Sequence, residues 1–470
     1  MDYRVEEDSL GRINVPAKAY WGAHTARALD NFPISGITLA QHPRLIAALA
    51  TVKRAAAVTN GHLGVIDADA VRAITWACEA VEAGGFREQF CVDVIQGGAG
   101  TSTNMNANEV IANIGLEFLG HPLGSYEYLH PIDHVNRCQS TNDVYPTALK
   151  LALVGAVEEL CHELDRLAAA FQDKGAAFGH ILKMGRTQLQ DAVPMSLGQE
   201  FHAFAATISE DRQRLAESAV LLLECSLGAT AVGTGITAEP GYKEHVLDVL
   251  AGITGRKLVP AENLVEATSD VGAFMHLSAM LKRSAIKISK ISSDLRLLSS
   301  GPQNGFGELR LPPRQAGSSI MPGKVNPVIP EAMNQIAFAV AGADTTVTMA
   351  ADNGQLQLNA FEPVIGHVLL QGLSWLSNGT RILRTHCIEG IEADEDLLSM
   401  RAARSAGLAT ALIPAIGYNA AASVAKLALR DNTPVLQAVT SMGFLKPDVA
   451  RSIVEDAVGL SQVRGVGKTD

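Results

Sequence analysis

A segment rich in glycine and serine, AGSSIMPGKVNP at residues 316–327, carries side chains that suit the binding of a carboxylate. Ser318 and Ser319 supply adjacent hydroxyls, and Lys324 and Asn326 follow the Pro-Gly turn with a cation and an amide. Hydroxyls and amides donate hydrogen bonds to a carboxylate, and a lysine adds the opposite charge. On composition alone, a flexible linker with a surface lysine explains the segment equally well, because Gly/Ser-rich loops are common.

Three further segments offer hydroxyl and amide groups: QGGAGTSTNMN, CQSTND and KMGRTQLQDAVP. Their candidate donors are Thr101, Ser140, Thr141, Asn142, Thr187 and Gln188. The glycines of the first segment are not followed by GK[ST], and no βαβ pattern precedes them, which argues against a phosphate-binding loop. The second segment stands just before a predicted helix, where its hydroxyls would serve as an N-terminal cap. On its own, capping is the better explanation of that segment.

The sequence motifs of metal and covalent catalysis are absent: there is no HExxH, no CxxC, no EF-hand loop and no nucleophile elbow. His130 and His134 are four residues apart, but Pro131 between them breaks a helix, so we expect no two-histidine metal face. The formal net charge of −11 argues against binding to nucleic acid or to an anionic membrane, although a local basic pocket for an anionic substrate is compatible with it. Cofactor-free chemistry by Ser, Thr, Asn and Lys is the enzymatic function that these exclusions leave.

Several features predict a cytoplasmic protein. The six cysteines are scattered, and a chain of 470 residues does not depend on disulfides for its core, so we expect reduced thiols. Residues 1–10 are acidic and contain no apolar stretch, so we expect no signal peptide. The sequence contains no run of about 18 apolar residues, so we expect no membrane span.

Long helices are the elements that must position these segments. Apolar residues recur in steps of four and three over residues 153–171 and 274–298, the spacing of helices packed along one seam. Ser284 occupies the one seam position of the second stretch that is not apolar. Further helices are predicted at about residues 197–223 and 330–351. Aromatic residues make up only 5% of the chain while Ala, Leu and Val abound, which favours packed helices over sheets. We therefore predict an antiparallel bundle, with some faces apolar enough to pack against helices of other subunits.

In order and content, these segments resemble those of the aspartase/fumarase superfamily. GSSIMPGKVNP is similar to the signature loop of that family, and QGGAGTSTNMNANEVIAN, HVNRCQSTNDVYPT, KMGRTQLQDAVP and GQLQLNAFEPVIG are similar to its other active-site segments. The resemblance extends over essentially the whole chain. It implies an all-α fold of three domains: an N-terminal helical domain (residues 1–142), a central bundle of long helices (143–391) and a small C-terminal helical domain (392–470). It also implies a homotetramer in which loops from three subunits form each active site.

The resemblance implies a role for each candidate residue. Ser318 is expected to be the general base that removes a proton from Cβ of the substrate. The expected hydrogen-bond donors to the resulting enediolate are Thr101, Ser140, Thr141 and Ser319. The residues expected to bind the α-carboxylate are Lys324 and Asn326, and those expected near the amino group are Asn142, Thr187 and Gln188. No organic cofactor and no structural metal are implied, and activation by Mg²⁺ does not follow from the sequence.

The residue after Thr187 bears on the leaving group. Fumarase-like sequences carry His at this position, whereas this chain carries Gln188. Hydroxide needs a proton from an acid such as His in order to leave, but an ammonium group leaves as neutral ammonia. The segment GGAGTS in place of GSGT, and Glu362 after GQLQLN, favour the same conclusion. Within the family, the sequence therefore resembles a carbon–nitrogen lyase that converts L-aspartate reversibly to fumarate and ammonia.

Three alternatives stay open. One is a fumarate hydratase, and another is a lyase acting on an N-substituted aspartate, since the volume of the amine pocket does not follow from sequence. The third, from a different functional class, is a catalytically silent structural protein such as a lens crystallin. A silent protein is expected to have lost part of the catalytic loop, and here Ser318, Lys324 and Asn326 are all present.

Two positions depart from the family pattern. HPIDHVN has Ile132 where Asn is usual, and ALIPAIGY has Ile413 where Asn is usual. The first position lies near the Ser140 segment and the second lies in the predicted C-terminal domain. Neither position is among the candidate catalytic residues, so these departures bear on loop closure, activator response or substrate range and leave the listed catalytic positions intact.

Overall fold

Helices make up most of the computed structural model, which describes residues 2–460. The α-helices in that range are α1 (Ala23–Asn31), α2 (Pro43–His62), α3 (Ala68–Glu82), α4 (Thr101–Phe118), α5 (Thr141–Ala177), α6 (Leu197–Val220), α7 (Tyr242–Thr254), α8 (Leu264–Ser269), α9 (Gly272–Leu298), α10 (Val328–Asp352), α11 (Glu362–His386), α12 (Glu395–Arg404), α13 (Ile413–Ile416), α14 (Tyr418–Asp431), α15 (Val435–Ser441) and α16 (Pro447–Ala457). The strands are β1 (Tyr3–Asp8), β2 (Gly11–Pro16), β3 (Leu182–Thr187), β4 (Gln190–Ser196), β5 (Glu224–Cys225), β6 (Val259–Pro260), β7 (Leu309–Arg310) and β8 (Glu392–Ala393). They form four two-stranded sheets within the described residues: β1 with β2, β3 with β4, β5 with β6, and β7 with β8. The prediction of a mainly helical fold is confirmed.

The chain divides into two compact units whose segments alternate along the sequence. Of the described residues, the first unit takes 2–161, 213–283 and 339–376. The second unit takes 162–212, 284–338 and 377–460. Each division falls inside one of the long helices, so these helices contribute to both units. The division into three domains stays a prediction, and residues 461–470 of the predicted C-terminal domain lie outside the described residues.

Packing along one seam explains the longest helix. Helix α5 has 37 residues, which corresponds to about 55 Å at 1.5 Å per residue. The residues that the spacing placed on its seam are all buried: Leu153, Val157, Leu160, Leu164, Leu167 and Phe171. In the second unit, the ring centroids of Phe201 and Phe204 in α6 lie 6.1 and 5.6 Å from that of Phe171. Each fully buried apolar side chain contributes roughly 1.5–3 kcal/mol, so burial along the seam is what stabilises α5.

Helices α9 and α10 run antiparallel. Near the start of α9, Ser278 Oγ donates to Asp344 Oδ1 near the end of α10 at 2.8 Å. Near the end of α9, Arg296 donates to Asn334 Oδ1 near the start of α10 at 2.9 Å. Both helices were predicted from the sequence, and α10 begins at Val328, slightly earlier than expected. The prediction of antiparallel packing is confirmed for this pair.

Short hairpins are the elements that the sequence did not predict. Strands β1 and β2 form one antiparallel hairpin, and β3 and β4 form another. No disulfide joins the six cysteines, which all lie within residues 2–460. Among the described residues, no helix combines the length and the apolar character that crossing a membrane requires.

Two glycines on helices offer a matched test of the packing in this fold. A Cβ on Gly198 of α6 would lie 2.4 Å from Gly175 O and 2.6 Å from Gly179 Cα, so Gly198→Ala should cost roughly 1–3 kcal/mol of stability. Gly252 of α7 faces open space, so Gly252→Ala should stabilise the protein by roughly 0.5–1 kcal/mol. Thermal unfolding of both variants is the measurement. Equal melting temperatures for the two variants would contradict the close helix contact at Gly198.

Candidate active site

Residues 316–327 form a loop that closes on itself ahead of α10. Gly317 N–H donates to Lys324 O at 2.8 Å, and Asn326 Nδ2 donates to Gly317 O at 3.1 Å. A Cβ on Gly317 would lie 2.6 Å from Lys324 O, so this closure requires glycine. Gly323 adopts a φ of +81° in the turn. The loop is therefore held by its own hydrogen bonds, while the Lys324 side chain is exposed.

The hydroxyl oxygen of Ser318 accepts two backbone hydrogen bonds. Ile320 N–H donates to it at 3.1 Å and Met321 N–H donates to it at 3.0 Å. Both bonds use lone pairs of the oxygen, so the hydroxyl proton stays free to leave. Hydrogen bonds donated to an oxygen stabilise its deprotonated form. Ser318 is thus arranged to carry negative charge on Oγ.

Thr187 and Gln188 lie at the tip of the β3–β4 hairpin. Gln188 and Leu189 form its two-residue turn, with φ values of 55° and 63°. A left-handed conformation costs a residue other than glycine roughly 1–2 kcal/mol, so this turn needs support from the structure around it. The Asn-Gly signal that usually indicates such a turn is missing, which is why the sequence pointed to both residues without predicting a hairpin. Thr187, Gln188 and Leu189 are all exposed.

Thr101 is the first residue of α4. It follows three residues in the left-handed region, Gly98, Ala99 and Gly100, with φ values of 91°, 56° and 91°. A Cβ on Gly100 would lie 2.6 Å from the ring of Tyr145, so this approach to the helix requires glycine. Thr101 is exposed, and its Oγ1 donates to Gly98 O at 2.7 Å. A carboxylate beside Thr101 would be stabilised by the positive end of the helix dipole.

Ser140, Thr141 and Asn142 lie at the start of α5. Ser140 Oγ accepts a hydrogen bond from Asn142 N–H at 3.2 Å, so the capping role of this segment is confirmed. Asn142 Nδ2 donates to Ala231 O at 2.8 Å. The buried carboxylate of Asp143 accepts a hydrogen bond from Ser140 N–H at 3.0 Å and hydrogen bonds from two further backbone N–H groups. These contacts fix the backbone that carries the predicted donors.

A network of buried amides lies beneath the starts of α4 and α5. The fully buried Lys53 of α2 donates through Nζ to Asn136 Oδ1 at 2.7 Å. The same oxygen accepts hydrogen bonds from Asn104 Nδ2 at 3.1 Å and Asn108 Nδ2 at 3.2 Å. Asn104 Nδ2 also donates to Thr141 Oγ1 at 3.0 Å. Since the Thr141 oxygen accepts this bond, its hydroxyl proton is available to a ligand.

Burial shifts the ionisation of two groups in and beside this network. It lowers the pKa of Lys53 to about 7, because the charged ammonium loses its hydration. It raises the pKa of Asp143 to about 6, although backbone N–H donors and the nearby Lys53 act in the opposite direction. Both groups therefore change protonation much closer to neutral pH than they would in water.

The predicted site residues fall into two sets. Those in the first unit are Thr101, Ser140, Thr141 and Asn142. Those in the second unit are Thr187, Gln188, Ser318, Ser319, Lys324 and Asn326. In the first unit, the contact between Asn104 and Thr141 brings the starts of α4 and α5 together. In the second unit, the residues lie on the hairpin tip and on the closed loop.

Sequence reasoning missed Lys53 and Asn136, which support the first set. A signal for Lys53 exists in the sequence, because it lies between Leu49 and Ala57 on the buried face of α2. A lysine at a position that helical spacing assigns to the core indicates a buried polar partner. No comparable pattern marks Asn136, which belongs to a turn.

The segment that contains Ile132 forms one turn of π-helix. His130 Nδ1 accepts the N–H groups of Ile132 and Asp133, both at 3.1 Å, and His134 Nδ1 accepts His130 N–H at 2.8 Å. Ile132 is exposed. Within residues 2–460, no three His, Cys, Asp or Glu side chains are grouped so that they could hold a metal ion.

Comparison with protein families gives two matches. Residues 11–342 match the family described as Lyase, and residues 408–455 match the family described as Fumarase C C-terminus. Aspartate ammonia-lyase from Pseudomonas aeruginosa is 56% identical over 437 residues, which cover 93% of this chain and 92% of that protein. Aspartate ammonia-lyase from Escherichia coli is 49% identical over 443 residues, which cover 94% of this chain and 93% of that protein.

Solved structures share the fold. A structure described as fumarate lyase:delta crystallin from Brucella melitensis, bound to cobalt, is 51% identical and superposes with a TM-score of 0.94, covering 97% of this chain and 99% of that one. A class II fumarase from Schistosoma mansoni is 34% identical, with a TM-score of 0.90, covering 97% of this chain and 98% of that one. The expected family resemblance is therefore confirmed along nearly the full chain.

The buried lysine predicts a particular pH dependence of stability. With a pKa of about 7 in the folded protein against 10.5 in water, Lys53 binds fewer protons in the folded chain than in the unfolded chain between these values. The free energy of unfolding should therefore rise with pH in this window, by about 1 kcal/mol per pH unit. Lys53→Met removes this contribution.

Urea unfolding at a fixed protein concentration, at pH 7, 8 and 9, measures this effect as the difference between the wild type and Lys53→Met. The difference should move in favour of the wild type as the pH rises. The control is Lys426→Met, the same substitution at an exposed position of α14. A constant difference for Lys53→Met would contradict the depressed pKa.

Proposed function

The chain belongs to the lyase family, and from that premise we propose that it catalyses the reversible deamination of L-aspartate to fumarate and ammonia. The activity is the one named for its relatives at 56% and 49% identity. The observation that carries the proposal in this structure is the Ser318 oxygen with two backbone N–H donors. The substrate is L-aspartate in one direction and fumarate in the other.

Ser318 acts as the general base. As the alkoxide it takes a proton from Cβ of aspartate and becomes a hydroxyl, while the electron pair moves into the neighbouring carboxylate. The enediolate that results carries two negative charges. When it collapses, the carbon–carbon double bond forms, the carbon–nitrogen bond on the opposite face breaks, and nitrogen leaves as neutral ammonia. The two N–H groups on Ser318 Oγ support this cycle because they stabilise the alkoxide.

Hydrogen-bond donors stabilise the enediolate. Thr101 and Thr141 begin two helices, so their hydroxyls and the helix dipoles act on the same developing charge. The Thr101 hydroxyl turns from Gly98 O to the substrate for this purpose. Ser140 and Ser319 complete the set of donors. Lys324 and Asn326 bind the α-carboxylate from the closed loop. That loop closes over the substrate and excludes water, which strengthens each of these interactions.

Gln188 suits the loss of ammonia. Gln has no proton that titrates near neutral pH, so it cannot protonate a departing hydroxide. Ammonia needs no such proton, because the substrate nitrogen already carries it. Gln188, Thr187 and Asn142 therefore surround the amino group without acting as acids.

The protein functions as a homotetramer in the cytoplasm, and each active site takes loops from three subunits. Exposed apolar side chains on the long helices support association, since an isolated chain would leave them in water. Ile286 in α9 and Phe338 and Met349 in α10 are exposed in this way. Isolated subunits should accordingly be inactive.

The rise in ultraviolet absorbance from fumarate tests the proposed function directly. Purified protein is supplied with L-aspartate or with L-malate in separate reactions, and fumarate is expected from aspartate alone. Fumarate from malate alone would identify a fumarate hydratase and contradict the role of Gln188. Silence with both substrates would point to an N-substituted aspartate or to a catalytically silent protein.

Removal of the base tests the mechanism. Ser318→Ala should lower kcat for aspartate by roughly 10²–10⁴-fold, the usual contribution of a positioned base, with an unchanged melting temperature. The control is Ser423→Ala, which removes an exposed hydroxyl bonded within α14 and should leave kcat intact. Turnover by Ser318→Ala at the wild-type rate would assign the base to another residue.

A further inference from the structure

Glu308 is a buried carboxylate that the mechanism above does not use. It is 1% exposed and immediately precedes β7, in the second unit. Arg186 donates a hydrogen bond to its Oε1, Lys183 Nζ lies 3.4 Å from its Oε2, and Arg401 lies 3.8 Å from Oε1. A carboxylate surrounded by three cations is stable in the core only with its partners present, since each charge alone would be strongly disfavoured.

Two of these cations belong to the hairpin that ends in Thr187 and Gln188. Lys183 and Arg186 both lie on β3, and a β-bulge falls between Met184 and Arg186. Residues three apart face opposite sides of a regular strand, so this bulge allows both Lys183 and Arg186 to reach Glu308. Arg186 immediately precedes Thr187, so the position of its guanidinium directly constrains the hairpin tip.

Arg186 is held on two sides. Besides its bond to Glu308, its guanidinium carbon lies 4.6 Å from the ring centroid of Phe306. Arg401 in turn donates to Phe306 O, which fixes the backbone of that residue. A planar guanidinium that both pairs with a carboxylate and stacks on an aromatic ring has a defined orientation, which lysine would not reproduce.

The hairpin needs this support because its turn is strained. Gln188 and Leu189 both adopt left-handed conformations, although neither is glycine. Such conformations persist only where the surrounding structure imposes them. The ion pairs at the base of the hairpin anchor β3, since Lys183 Nζ is also bonded to Glu200 Oε2 of α6 at 2.6 Å.

We propose that Glu308 and Arg186 are positioning residues, which hold the hairpin tip so that Thr187 and Gln188 contact the amino group of the substrate. The inference rests on the proposed function. It adds that the recognition of ammonia, as distinct from that of fumarate, depends on a buried ion pair behind the hairpin tip.

The reverse reaction separates the two substrates. With fumarate and ammonium chloride varied independently, Arg186→Met should raise KM for ammonia by about tenfold or more and leave KM for fumarate within about twofold. Arg186→Lys keeps the charge without the planar group and should give a smaller rise. Hydrogen–deuterium exchange at residues 187–190 should increase in both variants. The increase should be larger in Arg186→Met than in Arg186→Lys.

Arg310→Gln is the matched control. Arg310 is an exposed residue of β7, two positions after Glu308, and its guanidinium lies 3.3 Å from the Asp394 carboxylate. The substitution removes this ion pair. The control should leave both KM values and exchange at the hairpin tip unchanged. Should Arg186→Met fail to fold, Arg186→Lys decides the question with the same readouts.

A parallel change in both KM values, or unchanged KM for ammonia, in a folded Arg186 variant would overturn the positioning role. A wild-type protein that does not add ammonia to fumarate would instead overturn the proposed function. In that case exchange at the hairpin tip still tests the mechanical part of the proposal, because it requires no activity. Unchanged exchange in Arg186→Met would contradict that part as well.

Discussion

A hydrogen on the carbon next to a carboxylate is very weakly acidic, because its removal places a second negative charge on a group that is already ionised. The proposed serine base makes the problem harder, since an alkoxide is itself unstable in water. Both charges therefore need hydrogen-bond donors that are in place before the proton moves. The loop that closes through Gly317 and Lys324 supplies two backbone N–H groups to Ser318 Oγ. The starts of α4 and α5 supply hydroxyls together with helix dipoles.

Two different buried frameworks support these donors. In the first unit the framework is nearly neutral. The side-chain amides of Asn104 and Asn108 donate hydrogen bonds to Asn136 Oδ1. Lys53, whose pKa is lowered, donates to the same oxygen and is the one cation in this framework. In the second unit the framework is ionic, with Glu308 at the centre of two arginines and a lysine. Amides orient a hydroxyl such as that of Thr141 without adding a strong field near the developing charge. Ion pairs give a stiffer anchor, which suits a strained hairpin turn that amides alone would not hold.

The sequence predicted the long helices and suggested a set of site residues, but it did not predict the contacts that support those residues. Heptad spacing located α5 and α9, because burial along a seam produces a pattern that extends over many residues. The Ser318 loop and the Ser140 segment were singled out by their hydroxyl and amide groups, and the resemblance to a known family supplied their expected roles. The hairpin at Thr187 was missed, because its turn is held by tertiary ion pairs and not by Asn or Gly. The roles of Lys53 and Glu308 depend on neighbours far away in sequence, which a local pattern does not contain.

Sharing of each site between subunits is the claim that joins both sets of residues into one catalyst, and complementation tests it most directly. Thr141→Val removes a proposed donor from the first set, and Ser318→Ala removes the proposed base from the second. Each variant alone should be nearly inactive. When the two variants are dissociated, mixed and reassociated, some sites receive an intact Thr141 from one chain and an intact Ser318 from another, so aspartate turnover should return. If the reassembled mixture is no more active than either variant alone, the shared site is contradicted.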